Sequence, residues 1–413
     1  MDYQTLRSKD SQYLWHPFTQ MQDYNSENPI VIERAEGIKL IDVNGKEYYD
    51  SISSLWVNVH GHTHPEINKA IIEQLGKVAH STLLGQSNVP AILLAEKLVE
   101  ITPDGLNKVF YSDSGSEAVE IAIKLAHQYW QLKGSPRKTL IKMENAYHGD
   151  TIGAVSAGGM AIFHDVFKDL LFDTVSVPYP HAFRFDGSSD DCYTHCLDKL
   201  EEALETNKDE SIALILEPLV QGAAGMIMMP PGYLKDVEKL CRKYKTLLIT
   251  DEVATGFGRT GKMYACQHED VQPDILCTAK GLSGGYLPLA ATLTTDEIYT
   301  AFLGEHSEMK AFFHGHSFTG NQLGCAAALA SIKLFEESNL INHVQLMAEF
   351  LTEKLHEFKT LKHIADIRQC GLMLGLEIMQ DPQQMIDYDP AKKVAINVAK
   401  RCCELGMWSR PLG

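Results

Sequence analysis

The 413-residue chain reads as an α/β protein with a mostly parallel sheet flanked by helices, followed by a smaller α+β unit. Two observations predict this. From Pro65 onward short apolar runs alternate with amphipathic helical stretches, and each apolar run ends in polar residues or glycine. After Asn321 the pattern changes to a small-residue helix, a charged helical stretch and two further short runs.

Residues 1–60 mix aromatic patches with two β-like runs, 29–33 and 38–43, the second ending in a turn at Asn44-Gly45. They read as an N-terminal segment packed on something larger. In the central part, the period of the apolar residues predicts helices over 91–101, 116–131 and 232–243. It predicts strands over 108–111, 139–143, 212–216, 246–250 and 274–278. A helix over 323–335 and runs at 366–367 and 371–378 complete the C-terminal unit. The expected division is therefore 1–60, 61–324 and 325–413.

Composition limits the function. A formal charge of −17 argues against a basic nucleic-acid binder, and 45% hydrophobic with 22% charged residues is ordinary globular usage. No run approaches the roughly 18 apolar residues of a membrane span, and the start has no basic stretch leading into an apolar one. The nine cysteines are scattered without a Cys-x-x-Cys pair. A soluble, untargeted protein of a reducing cytoplasm is the expectation, with no nucleic-acid or membrane partner.

Chemistry concentrates at run ends. Ile249-Thr250-Asp251-Glu252 is an apolar strand closing on two carboxylates, and a buried carboxylate is costly unless it meets a cation. Lys280 follows the next strand-like run and leads into the flexible segment Gly281 to Gly285, which makes it a Schiff-base candidate. Taken singly, a surface lysine and a capping Asp are the commoner readings. A pyridoxal-phosphate (PLP) site needs both residues, a phosphate cradle and an aromatic stacker. Tyr111 to Ala118 carries a strand into a helix through Ser112, Asp113, Ser114, Gly115 and Ser116, which suits a phosphate at a helix start. The same serines also suit plain helix capping. Tyr147, after another run, is the candidate stacker, although a lone aromatic is more often packing.

Two other features read as structure. His60, His62 and His64 alternate but lack a fixed carboxylate or cysteine partner, so a polar loop is preferred to a metal site. Gly258-Arg259-Thr260-Gly261 reads as a turn after the Asp251 strand.

At Ser114-Gly115-Ser116, Tyr147-His148-Gly149, Glu217-Pro218, Asp251-Glu252-Val253, Gly256-Phe257-Gly258-Arg259-Thr260-Gly261, Pro273-Asp274-Ile275, Lys280-Gly281 and His314 to Phe318 with Gly320-Asn321, the chain resembles the class III (ω-amino-acid type) PLP-dependent aminotransferases of fold type I. The resemblance implies a seven-stranded sheet in the large domain, with the N-terminal segment joining the small domain and the active-site entrance. It implies Lys280 as the covalent anchor of PLP and Asp251 as partner of the ring nitrogen. Gly115 and Ser116 would hold the phosphate, and Tyr147 would lie on the ring. It further implies a homodimer with shared sites, Ser317 reaching the other subunit's phosphate.

Within the family, Leu14-Trp15-His16-Pro17-Phe18-Thr19, Ser53-Ser54-Leu55-Trp56 and Trp408-Ser409-Arg410-Pro411 are similar to the branch that aminates 8-amino-7-oxononanoate in biotin biosynthesis. That likeness implies an amine donor, S-adenosylmethionine or lysine, and a keto-acid acceptor. Arg410 would hold the acceptor carboxylate, with Trp56, Phe18, Tyr147 and Gly315 around the rest of the substrate. Leu55 stands where some relatives have a second tryptophan, and Phe18 where a tyrosine occurs, which leaves the donor open. Gln221 to Gly225 lacks the Glu that glutamate-using members carry, which argues against an ornithine- or GABA-type enzyme. Relatives continue past Arg410 through one more strand and a helix, so the small domain is expected to be cut short. The alternatives are another class III ω-amino-acid aminotransferase, a PLP aminomutase, or a non-catalytic doubly wound binding protein.

Overall fold

All six residues of Ser211–Leu216 (β7) and all five of Leu247–Asp251 (β10) are buried. Strands covered on both faces are what a parallel sheet requires. A computed structural model describes residues 1–412 and places the two side by side in a seven-stranded sheet. Its order is β4 (Leu106–Ser112), β12 (Ala290–Thr295), β11 (Ile275–Thr278), β10, β7, β5 (Thr139–Met143) and β6 (Thr174–Val177). From β11 to β6 every pairing is parallel; β12 runs antiparallel to both neighbours.

The period of two along the strands sorts the core. Leu214, Leu216, Leu248 and Leu276 face one side, with Leu234 and Val237 of the helix Tyr233–Tyr244. Ala213, Ile215, Ile249 and Ile275 face the other, against Ile121, Ala122, Leu125 and Ala126 of the helix Gly115–Leu132. Each fully buried Leu or Ile contributes about 1.5–3 kcal/mol from its transfer out of water.

The strand β12, absent from the expectations, is Ala-Ala-Thr-Leu-Thr-Thr. Small side chains suit its place under the helix Gly115–Leu132, where Thr292 Oγ1 donates to the Ala118 carbonyl at 2.8 Å and Cys277 Sγ reaches the same oxygen at 3.4 Å.

A second sheet is made by β1 (Ile32–Glu36), β2 (Lys39–Asp42) and β3 (Glu47–Asp50), with the expected turn at Asn44-Gly45 lying between β2 and β3. Its fourth strand is β15 (Met407–Trp408), parallel to β3. The hairpin β13 (Ile364–Cys370) and β14 (Met373–Ile378) is anchored by Arg368, which donates to the carbonyls of Gly225 and Met226 and pairs with Asp366 and Glu377. The boundary expected at 324/325 falls inside the helix Gln322–Glu337. No helix among the described residues is long and apolar enough to cross a membrane.

Candidate active site

Five strands deliver polar side chains to one edge of the large sheet. β10 ends at Asp251, β11 is followed by Lys280, β5 by Tyr147 and His148, and β7 by Glu217, while β4 runs through Asp113 and Ser114 into the helix Gly115–Leu132. These are the carboxyl ends of the strands, where open α/β sheets bind ligands. They surround a cavity of about 660 Å³, lined by Trp56, Gly115, Ser116, Tyr147, Asp251 and Lys280 among others. That volume suits a small molecule bound with a cofactor.

Asp251 lies at the bottom, its side chain 5% exposed. One carboxylate oxygen accepts from the Val253 amide at 3.0 Å, and the other faces His148 Nδ1 at 2.7 Å. A carboxylate oxygen accepts, so the tautomer that satisfies this contact is the one with Nδ1 as donor. His148 is itself buried, and its Nε2 has no partner among the described residues.

The Lys280 amine lies 5.5 Å from the centre of the Trp56 ring. Burial lowers its pKa, while Asp251 and Glu217 pull the other way by favouring the charged form. More of the amine is therefore in the free-base form near neutrality than in an exposed lysine.

Tyr147 is fixed at both ends. Its amide donates to Glu217 Oε1 at 3.0 Å and its hydroxyl to Asp150 Oδ2 at 2.8 Å. Burial and the Asp150 contact push the phenol pKa well up, so it stays protonated.

The helix Gly115–Leu132 is capped by Ser114, whose hydroxyl accepts from the Glu117 amide at 3.4 Å while Glu117 accepts from the Ser114 amide at 2.9 Å. Capping, the plainer reading of Ser114, is thus real, and it leaves the first-turn amides of Gly115 and Ser116 for an anion. A Cβ on Gly115 would fall 2.6 Å from a Val253 methyl, so glycine alone fits between the helix start and that wall. An amine, a buried carboxylate, a flat aromatic and a helix start at one cavity fit a phosphorylated aromatic aldehyde such as PLP.

The structure thus brings together Trp56, Gly115, Ser116, Tyr147, Asp251 and Lys280. Four expected residues lie outside the cavity lining within one chain. Phe18 is 59% exposed and packs edge-on to Phe163 at 5.3 Å. Gly315 and Ser317 are exposed on the segment between Ala301 and the helix Gln322–Glu337. Arg410 is exposed just after β15, although its charge acts on the Tyr147 phenol. The three alternating histidines part company: His60 meets Ser331, His62 meets Asp50, and His64 caps the helix Pro65–Leu75. Burial and His64 lower His60 to about 4, which keeps it neutral.

Two site residues went without a role in the sequence reading. His148 sits between Tyr147 and Gly149 in a quoted motif, and its fit under Asp251 needs the fold to be seen. Glu217, 5% exposed, bridges two backbone amides, Tyr147 and Gly222, each at 3.0 Å. Burial raises it to about 7. A carboxyl raised from its ordinary range lends stability that is fully present below about pH 4.5 and is lost as pH rises through 7, by roughly 3 kcal/mol. In cofactor-free protein, Glu217→Gln should flatten this dependence, measured by urea melts from pH 4.5 to 8; an unchanged slope would clear Glu217 of it.

The Aminotransferase class-III family model matches residues 21–413. An adenosylmethionine-8-amino-7-oxononanoate aminotransferase of Aquifex aeolicus is 52% identical over all of this chain and 92% of its own, and one of Staphylococcus aureus 50% over 100% and 92%. The crystal structure of the enzyme of that name from Methanocaldococcus jannaschii superposes with a TM-score of 0.95 at 47% identity, covering 100% of this chain and 93% of that one. A thermostable (S)-enantioselective omega-transaminase from Thermomicrobium roseum gives the same score at 33% identity, covering 100% and 92%. With its sheet order and cavity already pointing the same way, the chain belongs to the class III aminotransferase family.

Proposed function

We propose that this chain transfers an amino group to 8-amino-7-oxononanoate in biotin biosynthesis, with S-adenosylmethionine as donor and PLP as cofactor. The reading rests above all on one observation: the free-base-prone Lys280 amine and the Asp251 carboxylate share one cavity in a chain about half identical, end to end, to enzymes named for that substrate pair. The division into 1–60, 61–324 and 325–413, a cytoplasmic location and a homodimer belong to the same proposal. In the dimer, Ser317 and Gly315 are exposed in one subunit because they serve the other's site.

The chain's residues divide the work. The Lys280 amine anchors the cofactor, gives way to the incoming substrate amine, and then carries a proton to and from the substrate carbon. Asp251, held by Val253 and His148, stabilises positive charge on the ring nitrogen. Gly115 and Ser116 receive the phosphate, and Tyr147 covers the ring. When bound, PLP supplies an electron sink for the pair left as that proton departs. Arg410 is set to receive the acceptor carboxylate, and Trp56 and Phe18 to face its chain.

The test is an amino-transfer assay with 8-amino-7-oxononanoate as acceptor, comparing S-adenosylmethionine with lysine and other amines. The diamine product is expected with S-adenosylmethionine. Transfer from short ω-amino acids with no diamine formed would instead assign another class III activity.

A further inference from the structure

Ser53, Ser54, Leu55 and Trp56 all have positive φ, between 41° and 72°. They form one left-handed turn, a conformation in which the Cβ of an L residue crowds the next carbonyl, and none of the four is glycine. Such a turn persists only where its surroundings hold it.

The Asp50 carboxylate, 2% exposed, accepts from the Ser54 amide and the Ser54 hydroxyl, each at 2.8 Å, and meets His62 Nε2 at 2.9 Å. From another direction Arg259 donates to Ser53 Oγ at 3.2 Å and to the Asn58 carbonyl at 3.0 Å. Ser51, beside Asp50, donates from its amide at 3.2 Å and its hydroxyl at 2.5 Å to the Trp408 carbonyl. Asp50 pairs with Trp408 in the β3–β15 register. The turn ends at Trp56 over the Lys280 amine, and β15 runs on to Arg410. One backbone corner therefore carries both Trp56 in the cavity lining and the strand that leads to Arg410.

We propose that Asp50 is a positioning residue that holds the left-handed turn so that Trp56 lies across Lys280. With Ser51 it ties that placement to the strand leading to Arg410, and so sets the acceptor length the cleft takes. The second half rests on the reading of the cleft as a site for a long keto-acid.

The test begins without substrate or cofactor. The Trp56 fluorescence of cofactor-free protein is isolated by subtracting the spectrum of Trp56→Phe in the same background. Asp50→Asn keeps the shape but loses charge-assisted bonds, so acrylamide quenching of Trp56 should rise several-fold. In the loaded enzyme KM for 8-amino-7-oxononanoate should rise about tenfold, as for one charged hydrogen bond, with kcat little changed. Leu55→Pro leaves Asp50 intact but fixes φ near about −65°, and should reproduce both effects. Leu55→Gly, which holds positive φ freely, should reproduce neither.

A lower melting temperature in Asp50→Asn with unchanged quenching and KM would make Asp50 a plain brace and overturn the proposal. Should Asp50→Asn not fold, equal quenching in the Pro and Gly variants overturns it equally. If the parent does not use 8-amino-7-oxononanoate, the quenching comparison still decides the positioning, and only the claim about acceptor length falls with the substrate.

Discussion

Lys280→Ala is expected to remove transamination, with turnover down by at least about 10⁴-fold at saturating donor and acceptor. The size follows from the two tasks that fall on one nitrogen, anchoring the cofactor and moving the proton. No neighbour can substitute for it. Asp251 and Glu217 are buried carboxyls tied to His148, Val253, Tyr147 and Gly222, and the Tyr147 phenol is held protonated. Alanine also removes a buried amine whose charged form the site disfavours, so the variant should fold at least as well as the parent. Borohydride should fix the cofactor on the Lys280 peptide of the parent and nowhere in the variant. Turnover within about tenfold of the parent would take Lys280 out of the reaction.

Asp251→Asn is the second large effect, a fall in kcat of about 10²–10⁴-fold with the cofactor still bound. The substitution keeps the shape but removes the charge that would hold a proton on the ring nitrogen. It also replaces the carboxylate oxygen that faces His148 Nδ1 with an amide group, beside a histidine side chain that is fully buried. Retention of the cofactor is expected because the Gly115–Ser116 helix start and Lys280 are untouched. Absorbance of the bound cofactor read beside kcat separates this outcome from simple loss of the cofactor, which would deny Asp251 an electrostatic role.

The sequence showed these two residues because each stands at the end of an apolar run, where the period of burial breaks off into a charge. The strands β5, β7, β10 and β11 were legible for the same reason: interior parallel strands are apolar on both faces. β12 escaped notice because its side chains were chosen for thinness under a helix rather than for bulk. His148 and Glu217 escaped because their partners lie on other strands and become neighbours only when the sheet is assembled. Phe18, Gly315, Ser317 and Arg410 came from the family resemblance. They lie outside the cavity lining within one chain, and local patterning does not encode which segments meet across so large a sequence separation. The left-handed turn at 53–56 was equally hidden, since Ser-Ser-Leu-Trp contains no glycine to announce it.

The corner where β3 meets β15 joins residues far apart along the polypeptide, with Ser51 and Trp408 separated by 357 positions. During synthesis β15 leaves the ribosome well after every strand of the large sheet, so this long-range corner closes later than that sheet can. The large sheet and its buried lysine can take shape earlier, but the wall carrying Trp56 must wait. A nascent chain stopped short of Met407 would thus fold around an unfinished pocket, one that ought to hold the vitamin yet discriminate poorly among the acids offered to it.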